Sequence, residues 1–235
     1  MGLQTGGGRN IRGLRNLSSI SAIPDSEDLH AHYDFREYQS SQTSGFDDLS
    51  GNGHDLNNGS ISGVTESING NQAAELDGVD DSVWTDSFLA VDNPYTIAYV
   101  ADLDSDSATE FNVAVNTNDS DATDIDHRSD PHNHILAEDD TDPDDNLIGG
   151  SETDNLVVHL RDADGNATLR VNGTEVDTGS QGADMDLIGI GSRNPRDNDR
   201  FFPGAFGELL VYPMDKSDSF GEIESYLNGE WSLGL

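Results

Sequence analysis

The sequence predicts an all-β fold, many short strands closed by one short C-terminal helix, and three observations lead there. Apolar runs of five to nine residues recur along the chain between Gly, Asn and Asp turn signals, as in sandwiches and barrels. One run, Ala205–Tyr212, ends in Leu209, Leu210 and Val211 without a polar break, the pattern of a strand buried on both faces. Helical spacing is clear only after it, where Phe220, Ile223, Leu227 and Trp231 follow at steps of three and four. Ser219 and Glu222 have the spacing of a capping box at the start of that helix.

Taken in order, residues 1–28 form a segment apart. Arg9, Arg12 and Arg15 are three of only eleven basic residues, and no acid precedes Asp25. Ile11, Leu14, Leu17, Ile20 and Ile23 recur every three residues, so the segment reads either as a disordered tail or as a basic docking arm for an acidic partner or a sister subunit. From Leu29 the period is two: His30, His32, Asp34 and Arg36 alternate with Ala31, Tyr33 and Phe35. A turn-rich stretch, 45–59, contains DDLSGNGHDL.

Strands are expected at Gln72–Leu76, Ser82–Trp84, Tyr95–Leu103 and Glu110–Asn116. Residues 118–154 show little periodicity and read as an acidic insertion dotted with His127, His132 and His134. Asn155–Leu160 resumes the strands. Asp164-Gly165 and Asn172-Gly173 then mark two hairpin corners, and Met185–Ile190 is a further buried strand.

The charge is the other dominant feature. Asp and Glu number 46 against 11 Lys and Arg, giving a formal net charge of −35, with Lys216 the single lysine. Such self-repulsion opposes compaction in dilute buffer; at molar salt the Debye length shrinks to about 3 Å and most of the penalty is screened. The composition therefore points to a protein working in high salt and excludes a nucleic acid partner. No apolar stretch is long enough for membrane insertion, and no secretory leader is recognisable. Cysteine is absent, so neither disulfides nor thiolate metal sites can hold the fold.

The order DLSGNGHDL, AAELDGVDDSV, YTIAYV, ATLRVNGTEV, LIGIGSR, FPGAFGELLVY and SYLNGEW resembles the laminin-G-like, concanavalin A-like lectin/glucanase superfamily over residues 29–235, apart from 118–154. The resemblance implies a jelly-roll sandwich of two antiparallel sheets. It also implies glycan or protein binding, often with a structural calcium ion, and in some relatives glycan hydrolysis. On that basis Asp48, Asn52 and Glu208 are the calcium candidates, with Asp77, Asp80 and Asp81 a second acidic turn.

For a glycan, aromatic faces stack on sugar rings while Arg, Asp and Asn grip hydroxyls. The candidates are Trp84, Tyr99 and the cluster Arg193, Arg196 and Arg200. No catalytic residue is assigned: the Glu-x-Asp-x-x-Glu strand of the hydrolase branch is missing, as are a thiol and a Gly-x-Ser-x-Gly elbow. Asp162-x-Asp164-x-Asn166 imitates a calcium loop but has Ala167 and Gly173 where Gly and Glu are required.

Together these readings lead to a lectin-like virion surface protein of a virus infecting halophilic archaea. It would assemble with itself and other virion proteins and adhere to a host-surface glycan. A haloarchaeal cell-surface or secreted glycan-binding domain is the alternative, and a glycan hydrolase a more distant one.

Overall fold

The computed structural model describes residues 22–86, 94–103, 111–117, 124–128, 134–138, 147–149, 155–181, 185, 187–192 and 201–235. Along these the strands are β1 (Ala31–Asp34), β2 (Asn58–Ser60), β3 (Gly63–Ile68), β4 (Asn71–Asp77), β5 (Ser82–Trp84), β6 (Tyr95–Leu103), β7 (Phe111–Asn116) and β8 (Asp124–Arg128). They continue with β9 (His134–Glu138), β10 (Leu147–Gly149), β11 (Asn155–Arg161), β12 (Asn166–Val171), β13 (Thr174–Ser180), β14 (Gly189–Ile190) and β15 (Pro203–Tyr212), and helix α1 spans Phe220–Trp231. Two antiparallel sheets result. One has the order β13-β12-β11-β6-β15-β4-β3, with β1 pairing on β15; the other runs β10-β9-β8-β7-β14-β5-β2. This is the all-β jelly-roll sandwich of two antiparallel sheets expected, with no helix among the described residues long and apolar enough to cross a membrane.

Strict alternation explains how the first sheet buries both faces. Along β6, Tyr95, Ile97, Tyr99 and Ala101 point into the core between the sheets, while Ala98 and Val100 point to the opposite layer. There they meet α1, whose Ile223, Leu227 and Trp231 are fully buried. Burying each such side chain contributes about 1.5–3 kcal/mol, so this one helix turns the outer face of the sheet into a second core. Strand β15 follows the same rule until Gly207. The register shifts between Phe206 and Glu208, so Phe206 faces the inter-sheet core and Glu208, two residues on, faces the helix.

The structure corrects several expectations. Within 118–154, the stretch that reads as an acidic insertion, the described residues extend the second sheet to its edge. They supply β8, β9 and β10 of the second sheet, in register from Asp124↔Glu138 to Arg128↔His134. Strands β2 and β3 were not foreseen, and the strand expected at Met185–Ile190 narrows to Gly189–Ile190. Ser219 does not cap α1 through its side chain; its hydroxyl donates to Asp25 Oδ2 at 3.1 Å instead.

The docking arm expected at 1–28 also changes at its inner end. Arg9, Arg12 and Arg15 lie outside the described residues, but residues 22–28 are fastened to the sandwich. Lys216 Nζ bonds Asp25 Oδ2 at 2.9 Å and Asp28 Oδ2 at 2.6 Å, and Tyr212 donates its hydroxyl to the Pro24 carbonyl at 2.8 Å. Ile23 packs against the helix–sheet cluster.

Candidate binding site

Beneath α1 lies a buried charge cluster. The alternation of β1 sends Ala31 and Tyr33 into the core and turns His32 and Asp34 toward Glu208 on β15. Glu208 Oε1 accepts the Tyr226 hydroxyl at 2.9 Å and lies 3.0 Å from His32 Nε2; Oε2 accepts the Trp231 indole N–H at 2.8 Å and Arg36 Nη2 at 3.1 Å. Arg36 also pairs with Asp34 at 2.8 Å and with Glu230 at 3.0 Å, and its guanidinium stacks 4.7 Å from the Trp231 ring.

Burial alone would raise the Glu208 pKa. The His32 hydrogen bond, the charges of His32 and Arg36, and the Trp231 N–H outweigh it and hold the carboxyl below its ordinary value. Each Glu208 oxygen therefore has two partners and Glu208 is fully buried. The cluster joins β1, the turn after it, β15 and α1; it is a clamp.

The turn at 45–56 is organised by Asp48. Its Oδ1 accepts the backbone N–H of His32 at 3.0 Å and of Ser50 at 2.9 Å, and its Oδ2 accepts Ser50 Oγ at 2.8 Å and the His54 N–H at 3.2 Å. Burial opposes ionisation of Asp48, but these hydrogen bonds prevail and lower its pKa. Asn52 donates through Nδ2 to the Leu29 carbonyl at 2.7 Å and the His30 carbonyl at 3.2 Å. Gly51 and Gly53 both take φ of 84°, the left-handed backbone that this tight return requires.

Asp48, Asn52 and Glu208 thus do not fit a shared calcium ion. Asp48 and Glu208 are each bonded to His32, and their oxygens are directed at N–H and O–H donors. A divalent cation at Glu208 would also sit against the Arg36 guanidinium.

The second acidic turn does bring its carboxylates together: oxygens of Asp77, Asp80 and Asp81 lie within 4.8 Å of one another. Turn hydrogen bonds account for the approach. Asp77 Oδ1 accepts the N–H of Val79 at 2.8 Å and of Asp80 at 3.2 Å, while Asp81 Oδ2 accepts the N–H of Asp77 at 2.9 Å. Burial of Asp81 raises its pKa, with the Asp77 charge adding to the effect. Next to this turn a cleft of about 140 Å³ opens between Glu66, Glu75, Asp77 and Asp102 over Gly204 and Ala205. It exists because Ala205 stands in register between Glu75 and Asp102 on the flanking strands and leaves the space above it unfilled.

Of the glycan candidates, Tyr99 is corrected. It is fully buried in the core and stacks on Phe206 at 5.7 Å, so its ring presents no face to a sugar. Trp84 is half-buried on β5, between Asn58 and Gly189 of the neighbouring strands. Arg193, Arg196 and Arg200 lie outside the described residues. Asp162 accepts the N–H groups of Asp164 and Asn166 within the hairpin, at 2.8 and 2.9 Å.

Sequence reasoning missed the Arg36–Glu208 clamp, whose one signal was an acid inside the apolar run of β15. It also missed the approach of His30 to His54, whose rings lie 4.5 Å apart.

No protein family profile matches the chain, and no curated protein does. Solved structures share the fold. Domain 4 of AbnA, a GH43 extracellular arabinanase from Geobacillus stearothermophilus determined in complex with arabinotriose, matches with a TM-score of 0.55 at 16% identity, covering 85% of this chain and 98% of that one. The binding domain of Paraclostridial Mosquitocidal Protein 1 gives 0.60 at 17%, covering 87% and 53%. Trypanosoma rangeli sialidase in complex with sialic acid gives 0.64 at 14%, covering 89% and 34%. The chain thus spans about half of the second protein and a third of the third, and it shares the β-sandwich fold with all three.

Proposed function

We propose that this chain is a lectin-like adhesion module that binds a glycan or a glycosylated receptor and carries out no reaction on it. One observation carries the reading: the sandwich matches nearly the whole of an arabinanase domain whose structure holds arabinotriose, and so corresponds to that domain as a unit. The internal engagement of Glu208 and Asp48 supports a binding role over a catalytic one, because neither carboxylate is placed to protonate or attack a sugar.

The setting we propose is the virion surface of a virus that infects halophilic archaea, where the chain assembles with copies of itself and with other virion proteins and meets a host-surface glycan. The net charge of −35 supports the high-salt half of this reading, and the Arg-bearing stretch before residue 22 supports attachment to an acidic neighbour.

A glycan array probed in molar NaCl, including arabino-oligosaccharides and sialosides, tests the reading. Selective, saturable binding of one glycan class without release of reducing sugar is the expected outcome. Binding of none, or hydrolysis of a bound glycan, overturns it.

A further inference from the structure

The geometry points to a binding site for a late first-row divalent metal ion, of the Zn²⁺ or Ni²⁺ kind, between His30 and His54 at the base of the Gly-rich turn. The two imidazoles come from segments 24 residues apart, yet their ring centroids are 4.5 Å apart with the planes inclined by 35°. Both backbones are pinned. The His30 N–H donates to the Val211 carbonyl at 2.7 Å, and its own carbonyl accepts Ser50 Oγ and Asn52 Nδ2, each at 3.2 Å. The His54 N–H is held by Asp48 at 3.2 Å, and its carbonyl accepts the Tyr33 hydroxyl. The pair is therefore positioned before any ligand arrives.

Among the described residues, His54 Nδ1 is enclosed and has no hydrogen-bond partner. An enclosed imidazole nitrogen left so is uncommon in native proteins, and a bound ion is one established account of such a group. The chemistry selects the ion. Imidazole suits Zn²⁺, Ni²⁺ and Cu²⁺, whereas Ca²⁺ and Mg²⁺ seek oxygen. The turn's own oxygen ligand, Asp48, is already taken up by four hydrogen bonds. The inference does not depend on the adhesion reading and leaves it unchanged whichever way it falls.

Calorimetric titration of the full chain in molar NaCl near neutral pH, with ZnCl₂, NiCl₂ and CaCl₂ in turn, is the test. One Zn²⁺ or Ni²⁺ per chain is expected, undiminished by Ca²⁺. His30→Gln and His54→Gln should each weaken binding about tenfold or more, while joint replacement of His127, His132 and His134 leaves it intact. Should a variant misfold, ¹⁵N-histidine NMR of the unaltered chain decides, since stoichiometric Zn²⁺ must shift the His30 and His54 resonances. Absence of one-to-one binding, binding that survives His54→Gln in a folded chain, or shifts confined to the other histidines overturns the site.

Discussion

The indole of Trp231 occupies the place where a side chain at position 207 would begin. A Cβ built on Gly207 would lie 2.8–2.9 Å from three atoms of that ring. Gly207 is also the residue at which the β15 register shifts, so one bare backbone position turns Glu208 toward the helix and admits the tryptophan that bonds it.

Gly207→Ala should therefore loosen α1. Neither contact partner can yield cheaply, because Trp231 is fully buried and its N–H is held by Glu208. Overpacking of this kind costs about 1–3 kcal/mol. A lowered Tm together with red-shifted tryptophan emission is expected, and an unchanged Tm would show that the helix is not seated on the sheet.

Arg36→Met should destabilise by about 3–5 kcal/mol, because it leaves Glu208, Asp34 and Glu230 without their cation. The double variant Arg36→Met with Glu208→Leu should recover part of the loss. The Glu208 pKa is lowered in the folded chain, so its contribution is complete above the ordinary glutamate range and disappears as the pH falls through the folded value. Denaturant melts of the two variants and the parent, near neutral pH and in acid, separate these effects.

His159 sets a second pH dependence of the same direction at higher pH. Burial, with a smaller addition from the Arg161 charge and against the Gln181 hydrogen bond, brings its pKa from 6.5 to about 4. The unfolded chain takes up this proton near 6.5 and the folded one only near 4, so stability falls across that interval, by about 3 kcal/mol at most. His159→Phe should flatten the stability profile between these limits. A slope as steep as the parent's would mean that other groups produce it.

Lys216→Gln should free the strap formed by residues 22–28, leaving Asp25 and Asp28 as neighbouring carboxylates without their shared ammonium. Hydrogen exchange and limited proteolysis at 22–28 should rise while the melting of the sandwich barely changes, since both acids are more than a third exposed. A large drop in Tm would make the strap part of the cooperative core.

The charge surplus predicts a Tm that climbs steadily with NaCl or KCl into the molar range, with little difference between the two salts. A Tm insensitive to salt would remove the argument for a high-salt habitat.

Much of this architecture could be read from residue order, and the parts that could not share one cause. The two-residue alternation after Leu29 placed Ala31, Tyr33 and Phe35 in the core, and the three-four spacing from Phe220 placed Ile223, Leu227 and Trp231 against the sheet. Both signals are local and strong. Strands β8 and β9, DIDHR and HILAE, are too short and too rich in charge for periodicity to stand out, and in β3 three consecutive exposed residues erase it.

The clamp was half visible. His32, Asp34 and Arg36 lay on one predicted face, but their meeting with Glu208 spans more than 170 residues. The Ser219 hydroxyl shows the same limit: its capping partner was three residues away and its actual partner is Asp25, far earlier in the chain. Long-range pairing decided what local propensity left undecided.

Ile23 and Leu233 both pack on the helix-covered side of the first sheet. Residues 23 and 233 therefore share one flank, so a bulky label attached beside either would crowd α1 and leave the second sheet uncovered.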